Sequence, residues 1–388
     1  GTLSSNTSSV LKLQAPTTLT SSNPVSFGAV SFEGNVLTLG SSSTHLKITD
    51  TPLSLGGIPL ETGPGSLTLS GALSLSNQGK INSSGGSITL ESGGSVAGGS
   101  TLSLPNTTLV LQSPLSIASS TLKTSNTTFT TNSNALTLSG SNLYIEGTQD
   151  LSGVVPDSTS VLRLTGDTTL SSNALSVYSL ELEDHALTLH NSMGGLSVSQ
   201  AVLLNASSEQ INSGAADLSL SGGITVSSGT LASSGGTVSS SSLTGSGAGI
   251  LNFQGGTLSL PNGASLASGA TFTTSSTTIE LGGNLDVSNT WASSNTNLSL
   301  TADAKLSSTA AVEAATLETN GNDFELSSGT TDLTLANAFT LSSGTLSTKG
   351  GDLIFKGRAD ISSGATLESV TGGKLEFRQG GTNAGTIN

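Results

Sequence analysis

The chain has 388 residues, of which 9% are charged, 3% are aromatic, 49 are glycine and none is cysteine, and its formal net charge is −14. An ordinary globular domain carries about a quarter charged residues, so this composition argues against a common catalytic domain, and the missing cysteines exclude disulfides and thiolate metal sites. A hydrophobic content of 34% and a mean hydropathy of +0.10 argue against a disordered polar tract, which needs low hydrophobicity and high charge.

The chain opens at Gly1 without a basic segment and apolar core of a leader, which reads as a processed product or a fragment. Pro16, Pro24, Pro52, Pro59 and Pro64 crowd the start of the chain, so the segment 1–65 is expected to hold less regular turns. From there the pattern becomes strict alternation, as in SLTLSGALSLS at 66–76 and NLSLT at 297–301, which suits strands with one buried face. No run of about eighteen apolar residues is present, so no transmembrane helix is expected.

A leucine-type pair, LxL, returns along the whole chain. One column steps through Leu11, Val30, Leu46, Leu67, Ile88, Leu102, Leu122, Leu143, Leu162, Leu180, Leu196, Leu218, Val238, Leu258, Ile279, Leu298, Leu317, Leu333, Leu353 and Leu375. Its steps are unequal, with a mean near nineteen; the shortest runs from Ile88 to Leu102, where Leu109 serves equally well as the next point. A regular return of this kind marks a solenoid, whose turns bury their apolar faces only against each other. The fold expected is therefore all-β, a parallel β-solenoid of about 20 coils of roughly 19–20 residues, continuous over 1–388. Stacked at about 4.8 Å, such coils make a rod on the order of 95 Å long.

The position two after each column residue is usually apolar, with Thr124, Ser240 and Thr319 as exceptions. Isolated residues such as Leu341, Leu346, Ile361 and Leu367 imply two or three short strands per coil. Double glycines at 235–236, 255–256, 350–351 and 372–373 mark sharp corners. The segment 304–318 has the one helix-like composition, but its Ser and Thr content favours strands there too. Outward Ser and Thr ladders are expected to bond between coils and to water.

Charge is uneven. No Lys or Arg lies between Leu164 and Ala304, where Asp167, Glu181, Glu183, Asp184, Glu209, Asp217, Glu280, Asp286 and Asp303 are acidic, so nucleic acid is excluded as a partner. Lys349, Asp352, Lys356, Arg358, Asp360, Lys374, Glu376 and Arg378 form the densest charge set; pairing Leu353 with Leu375 stacks Asp352 on Lys374 and Lys356 beside Arg378. Without aromatic platforms or paired acids, the set reads as a solvated charged face. His185 and His190 are separated by an odd interval and face opposite ways on any continuous strand, which speaks against a metal site. The calcium nonapeptide is missing apart from a relic, NGNDFEL at 320–326; no cofactor is expected beyond casual Ca2+ attraction to the acidic surface. Thr-rich fragments at 127–131 and 270–278 do not recur in every coil and read as ladder and turn residues. No residue is expected to serve in catalysis, cofactor binding or metal binding.

The LxL coils, the SSGxL segments, the glycine corners and the closing phrase GGTNAGTIN at 380–388 resemble the β-helical passengers of filamentous-haemagglutinin-type exoproteins and autotransporter adhesins of bacteria. The resemblance covers nearly the whole chain and brings no active residues with it. It implies an exported, right-handed parallel β-helix at the cell surface or outside the cell, acting as a stalk, adhesin or filament. Its partners would be further copies, adjoining solenoid segments, or cell surfaces and glycans. A subunit of a polymeric fibre or sheath is the alternative; a carbohydrate-active enzyme using Arg358 and Arg378 is a third expectation.

Overall fold

The computed structural model describes residues 6–288, 291–327, 331–370 and 372–388; Gly1, at which the sequence opens, lies outside them. Among the described residues no helix occurs, and short strands stack in parallel as a β-solenoid of about 18 turns. The chain divides into two compact units, Gly1–His185 and Ala186–Asn388.

In the first unit one ladder runs from Asn6–Lys12 through Ser66–Leu69 to Thr128–Thr130, and a second from Leu53–Gly56 to Val154–Pro156. A third contains Thr17–Leu19, Lys80–Ser83, Thr101–Ser103, Thr121–Ser125, Asn142–Asp150 and Val161–Ser171. Each full coil therefore has three sides. In the second unit one ladder runs from Ala186–Leu189 to Trp291–Ser294, a second from Leu196–Val198 to Thr316–Glu318, and a third from Val202–Leu204 to Thr386–Ile387.

Alternation places one residue in two inside. Leu67, Ile88, Leu109, Leu258 and Ile279 are fully buried, each stacked on its equivalent in the next coil. Burying such a side chain contributes about 1.5–3 kcal/mol, and no coil has enough of them to stand alone.

The register resolves the column read from the sequence into several ladders. Every long step of that column is a true neighbour pair, as in Leu122 with Leu143 or Leu218 with Val238. The short steps, those leaving Val30, Ile88, Leu180 and Leu317, are not. Leu46 pairs with Val25 rather than Val30, Ile88 pairs with Leu109 while Leu102 pairs with Ile81, and Leu333 pairs with Val312 rather than Leu317. Leu180 belongs with Leu162, whereas Leu196 begins a pairing with Leu218. Each short step jumps to another side, or to another pair on the same strand, and adds a fraction of a coil as a whole one. That accounts for the excess over the turns observed.

Hydroxyl residues are found inside as well as outside. Ser100, Ser120, Ser141 and Ser160 form a buried corner column in the first unit, with Ser141 Oγ donating to the Ile117 carbonyl at 3.0 Å. Thr277, in the second unit, donates to the Phe253 carbonyl at 2.9 Å. The apolar exceptions Thr124 and Ser240 keep the inward slot and donate to the carbonyls of Tyr144 and Ser242. A short hydroxyl at a tight corner satisfies a carbonyl that the ladder leaves out. Corners also use left-handed backbone: Asn106 and Asn126 stack there with φ of 52° and 50°, and Gly256 sits at 67° where a Cβ would strike the carbonyls of Gly235 and Gly236.

Candidate functional site

The dense charge set of the last coils is dispersed by the fold. Leu353 does pair with Leu375, and the Lys374 N–H donates to Asp352 Oδ1 at 3.0 Å. The Lys374 ammonium, however, turns to Glu376 at 2.6 Å, which Arg378 also holds at 2.8 Å. Lys356 reaches two coils back to Glu313 at 2.8 Å, Arg358 pairs with Asp360 at 2.8 Å, and Lys349 joins Lys305 on Glu325 at 2.9 and 3.1 Å. The cations thus close on four carboxylates, Glu313, Glu325, Asp360 and Glu376, two of them shared by a pair of cations.

These pairs hold their acids ionised. Glu325 is lowered below the usual carboxyl value by its hydrogen bond from Lys349 and then by Lys305; Glu376 is lowered by Lys374 and then Arg378. Asp360 is held well below the carboxylate range by Arg358 and then by Thr382, and Arg358 and Lys374 are raised in return by Asp360 and Glu376. A general acid needs its carboxyl moved the other way, toward neutrality.

A second arrangement escaped sequence reasoning. Aspartates placed just before strands accept the backbone N–H of the next coil: Asp217 from Thr237, Asp303 from Asp323, Asp323 from Thr345, and Asp332 from Asp352, at 2.7–2.9 Å. The sequence signal is an Asp directly ahead of the inward residue, as in DLSL and DLTL. These carboxylates act as caps along the stack.

Each histidine has its own partner. His45 Nε2 meets Thr68 Oγ1 at 2.9 Å, His190 Nδ1 meets Ser192 Oγ at 2.8 Å, and His185 Nδ1 stands 3.9 Å from Asp167. Among the described residues no group of three His, Cys, Asp or Glu is arranged to hold a metal ion. The Thr fragments fall in strands Thr128–Thr130 and Thr271–Ser275, and alternate along them: Thr274 is buried, while Thr128 and Thr130 are exposed.

One outward row differs from the hydroxyl rows around it. In the first unit Ser103, Lys123, Tyr144, Arg163 and Glu181 lie in register on successive coils. Lys123 Nζ lies over the Tyr144 ring at 5.3 Å from its centroid, and the Arg163 guanidinium carbon at 5.8 Å. Arg163 is tied to Glu181 at 3.1 Å and Glu183 at 3.5 Å. Each cation over this half-buried ring contributes about 0.5–1 kcal/mol, and together they fix the tyrosine's orientation. This row is the chain's strongest candidate for recognition. Comparison of the chain with protein-family models, curated proteins and solved structures found no match.

Proposed function

We propose that the chain is a non-enzymatic structural or adhesive rod that works outside the cell, as a stalk or passenger segment of a bacterial surface protein. The observation that supports this reading is the repetition of small hydroxyl residues in register on outer faces, as in Ser54, Ser74, Ser95 and Ser116, or Ser197, Ser219, Ser239 and Ser259. A surface repeated coil after coil offers length and spacing, whereas catalysis needs one place unlike the rest. Hydroxyl rows stay hydrated without net charge and bond to their neighbours along the stack.

The test combines electron microscopy of the purified chain with its binding to whole cells and its action on a polysaccharide panel. Elongated particles with saturable cell binding support an adhesin, and elongated particles without binding support a stalk. Compact particles, or release of new reducing ends from any polysaccharide, overturn the reading.

A further inference from the structure

The Tyr144 row borders a groove of about 230 Å³ lined by Pro105, Lys123, Ser125, Tyr144, Glu146 and Thr165 among others. Pockets for drug-sized molecules span ~300–1,000 Å³, so this space suits a single ring. Its two charges do not pair with each other. Among the described residues Lys123 has no carboxylate and Glu146 no cation within ion-pair distance, although both line the same groove. Elsewhere on this row the charges are matched, since Arg163 holds both Glu181 and Glu183.

The backbone there is also irregular. Asn142–Asp150 and Val161–Ser171 pair in step up to Ile145 and Leu164, and resume at Gly147 and Thr168. Glu146 thus stands opposite three residues, Thr165, Gly166 and Asp167. Such a bulge breaks the ladder and re-aims side chains. Gly147 takes a φ of 72° to turn through it, and Gly166 leaves the room that Glu146 fills, since a Cβ there would lie 2.6 Å from Glu146 Cγ. The irregularity breaks the pairing of Glu146 with the following strand while it stays in register with Ser125 of the preceding one, beside the groove.

We propose that this groove binds one neutral hexopyranose unit of a surface glycan. Glu146 accepts hydrogen bonds from adjacent sugar hydroxyls, Lys123 donates to a ring or hydroxyl oxygen, and Ser125 and Thr165 complete the polar rim. Pro105 and the edge of Tyr144 pack against the sugar's C–H groups, the tyrosine being steadied by the cations over its ring. A neutral sugar fits better than an acidic one, because it supplies donors to Glu146 and acceptors to Lys123 at once, whereas a sugar carboxylate would face Glu146 on a chain of net charge −14. The proposal rests on the adhesive reading for its biological setting and on the groove alone for its chemistry.

Saturation-transfer NMR and calorimetry with lactose, maltotriose and methyl α-mannoside, with glucuronate as the acidic control, test it on the intact chain. At least one neutral probe is expected to bind, and Glu146→Gln, Lys123→Gln and Tyr144→Ala are each expected to weaken it at least about tenfold. Tyr144→Phe keeps the stack and guards against a folding artefact, as does an unchanged circular dichroism melt. Gly166→Ala, which removes no polar group, is expected to weaken binding by crowding Glu146, while Lys80→Gln on a neighbouring row leaves it unchanged. Failure of all three neutral probes, tighter binding of glucuronate, or full binding by the three groove variants would overturn the site. Cell binding that survives Lys123→Gln and Tyr144→Ala sinks the groove and leaves the adhesive reading standing; sugar binding without cell binding does the reverse.

Discussion

Within the second unit, the coils from Gln210 to Leu300 and those from Asp303 to Asn388 solve the same stacking problem differently. In the first stretch three ladders advance together, the inward residues are aliphatic, aromatic or hydroxyl-bearing, and no Lys or Arg occurs. In the second, only the ladder ending at Thr386–Ile387 runs through to the last coils. Trp291–Ser294 and Thr316–Glu318 end their ladders; new ones start at Val312–Ala314 and Phe339–Leu341. All six Lys and Arg residues of this unit lie in that second stretch, and all are paired. Lys356 and Glu313 bridge across the coil of Thr334, while Lys305, Glu325 and Lys349 link three successive coils. Four of the six cations, Lys356, Arg358, Lys374 and Arg378, flank strands of the restarted ladders, while Lys305 and Lys349 lie on the ladder that continues beside them.

Interrupting the aliphatic column of the first stretch should have the largest effect. Leu258→Asp places a charge between Val238 and Ile279 at a fully buried position, and is expected to cost more than about 4 kcal/mol. Hydrogen exchange should show protection lost in the coils on both sides; protection lost at one strand alone would mean that coils fold independently.

Next in size is the seam itself. Trp291 packs on Phe272 at 5.3 Å between centroids, and its indole N–H donates to Thr274 Oγ1 at 2.8 Å, which meets Thr296 Oγ1 at 2.7 Å. Trp291→Ala is expected to lose about 3–5 kcal/mol and Thr274→Val about 1–3 kcal/mol by stranding the indole N–H. Both are read from denaturant midpoints, the second also from the fluorescence of Trp291.

Acid should separate the two stretches more gently. The carboxyls of Glu325, Glu376 and Asp360 have folded values below their ordinary 4.5, 4.5 and 3.8, so their contribution is present above those values and is lost as pH falls through the depressed ones. Exchange is expected to quicken in the coils after Asp303 before those between Gln210 and Leu300 as pH drops below about 4. A uniform response along the unit would dismiss the ion pairs as supports. Smallest is Glu325→Gln, which frees Lys305 and Lys349 and should cost about 0.5–1 kcal/mol, shrinking in high salt because the pair is partly exposed.

Much of this architecture is legible in the sequence. Leu333, Leu353 and Leu375 align as expected because alternation and glycine corners fix the register locally. The expected count of about 20 coils is close to the about 18 turns observed, and the small surplus arises because LxL looks alike on every side, so that sequence alone does not say which side a leucine occupies. Buried Ser100 or Thr277 is indistinguishable in sequence from an outward Ser or Thr, since only the corner's tightness turns it in. The Tyr144 groove was missed for a similar reason: Lys123, Tyr144 and Arg163 lie one whole coil apart in sequence, and meet only when coils stack.

The buried serines at 100, 120, 141 and 160 mark intervals at which the polypeptide returns to an equivalent chemical environment. Each needs only partners in its own or an adjoining turn, so excising or copying a whole turn at these points rejoins like with like. The molecule's length is therefore adjustable by gene duplication in units of one turn, whereas an insertion of a few residues must be looped out to spare the next serine its place.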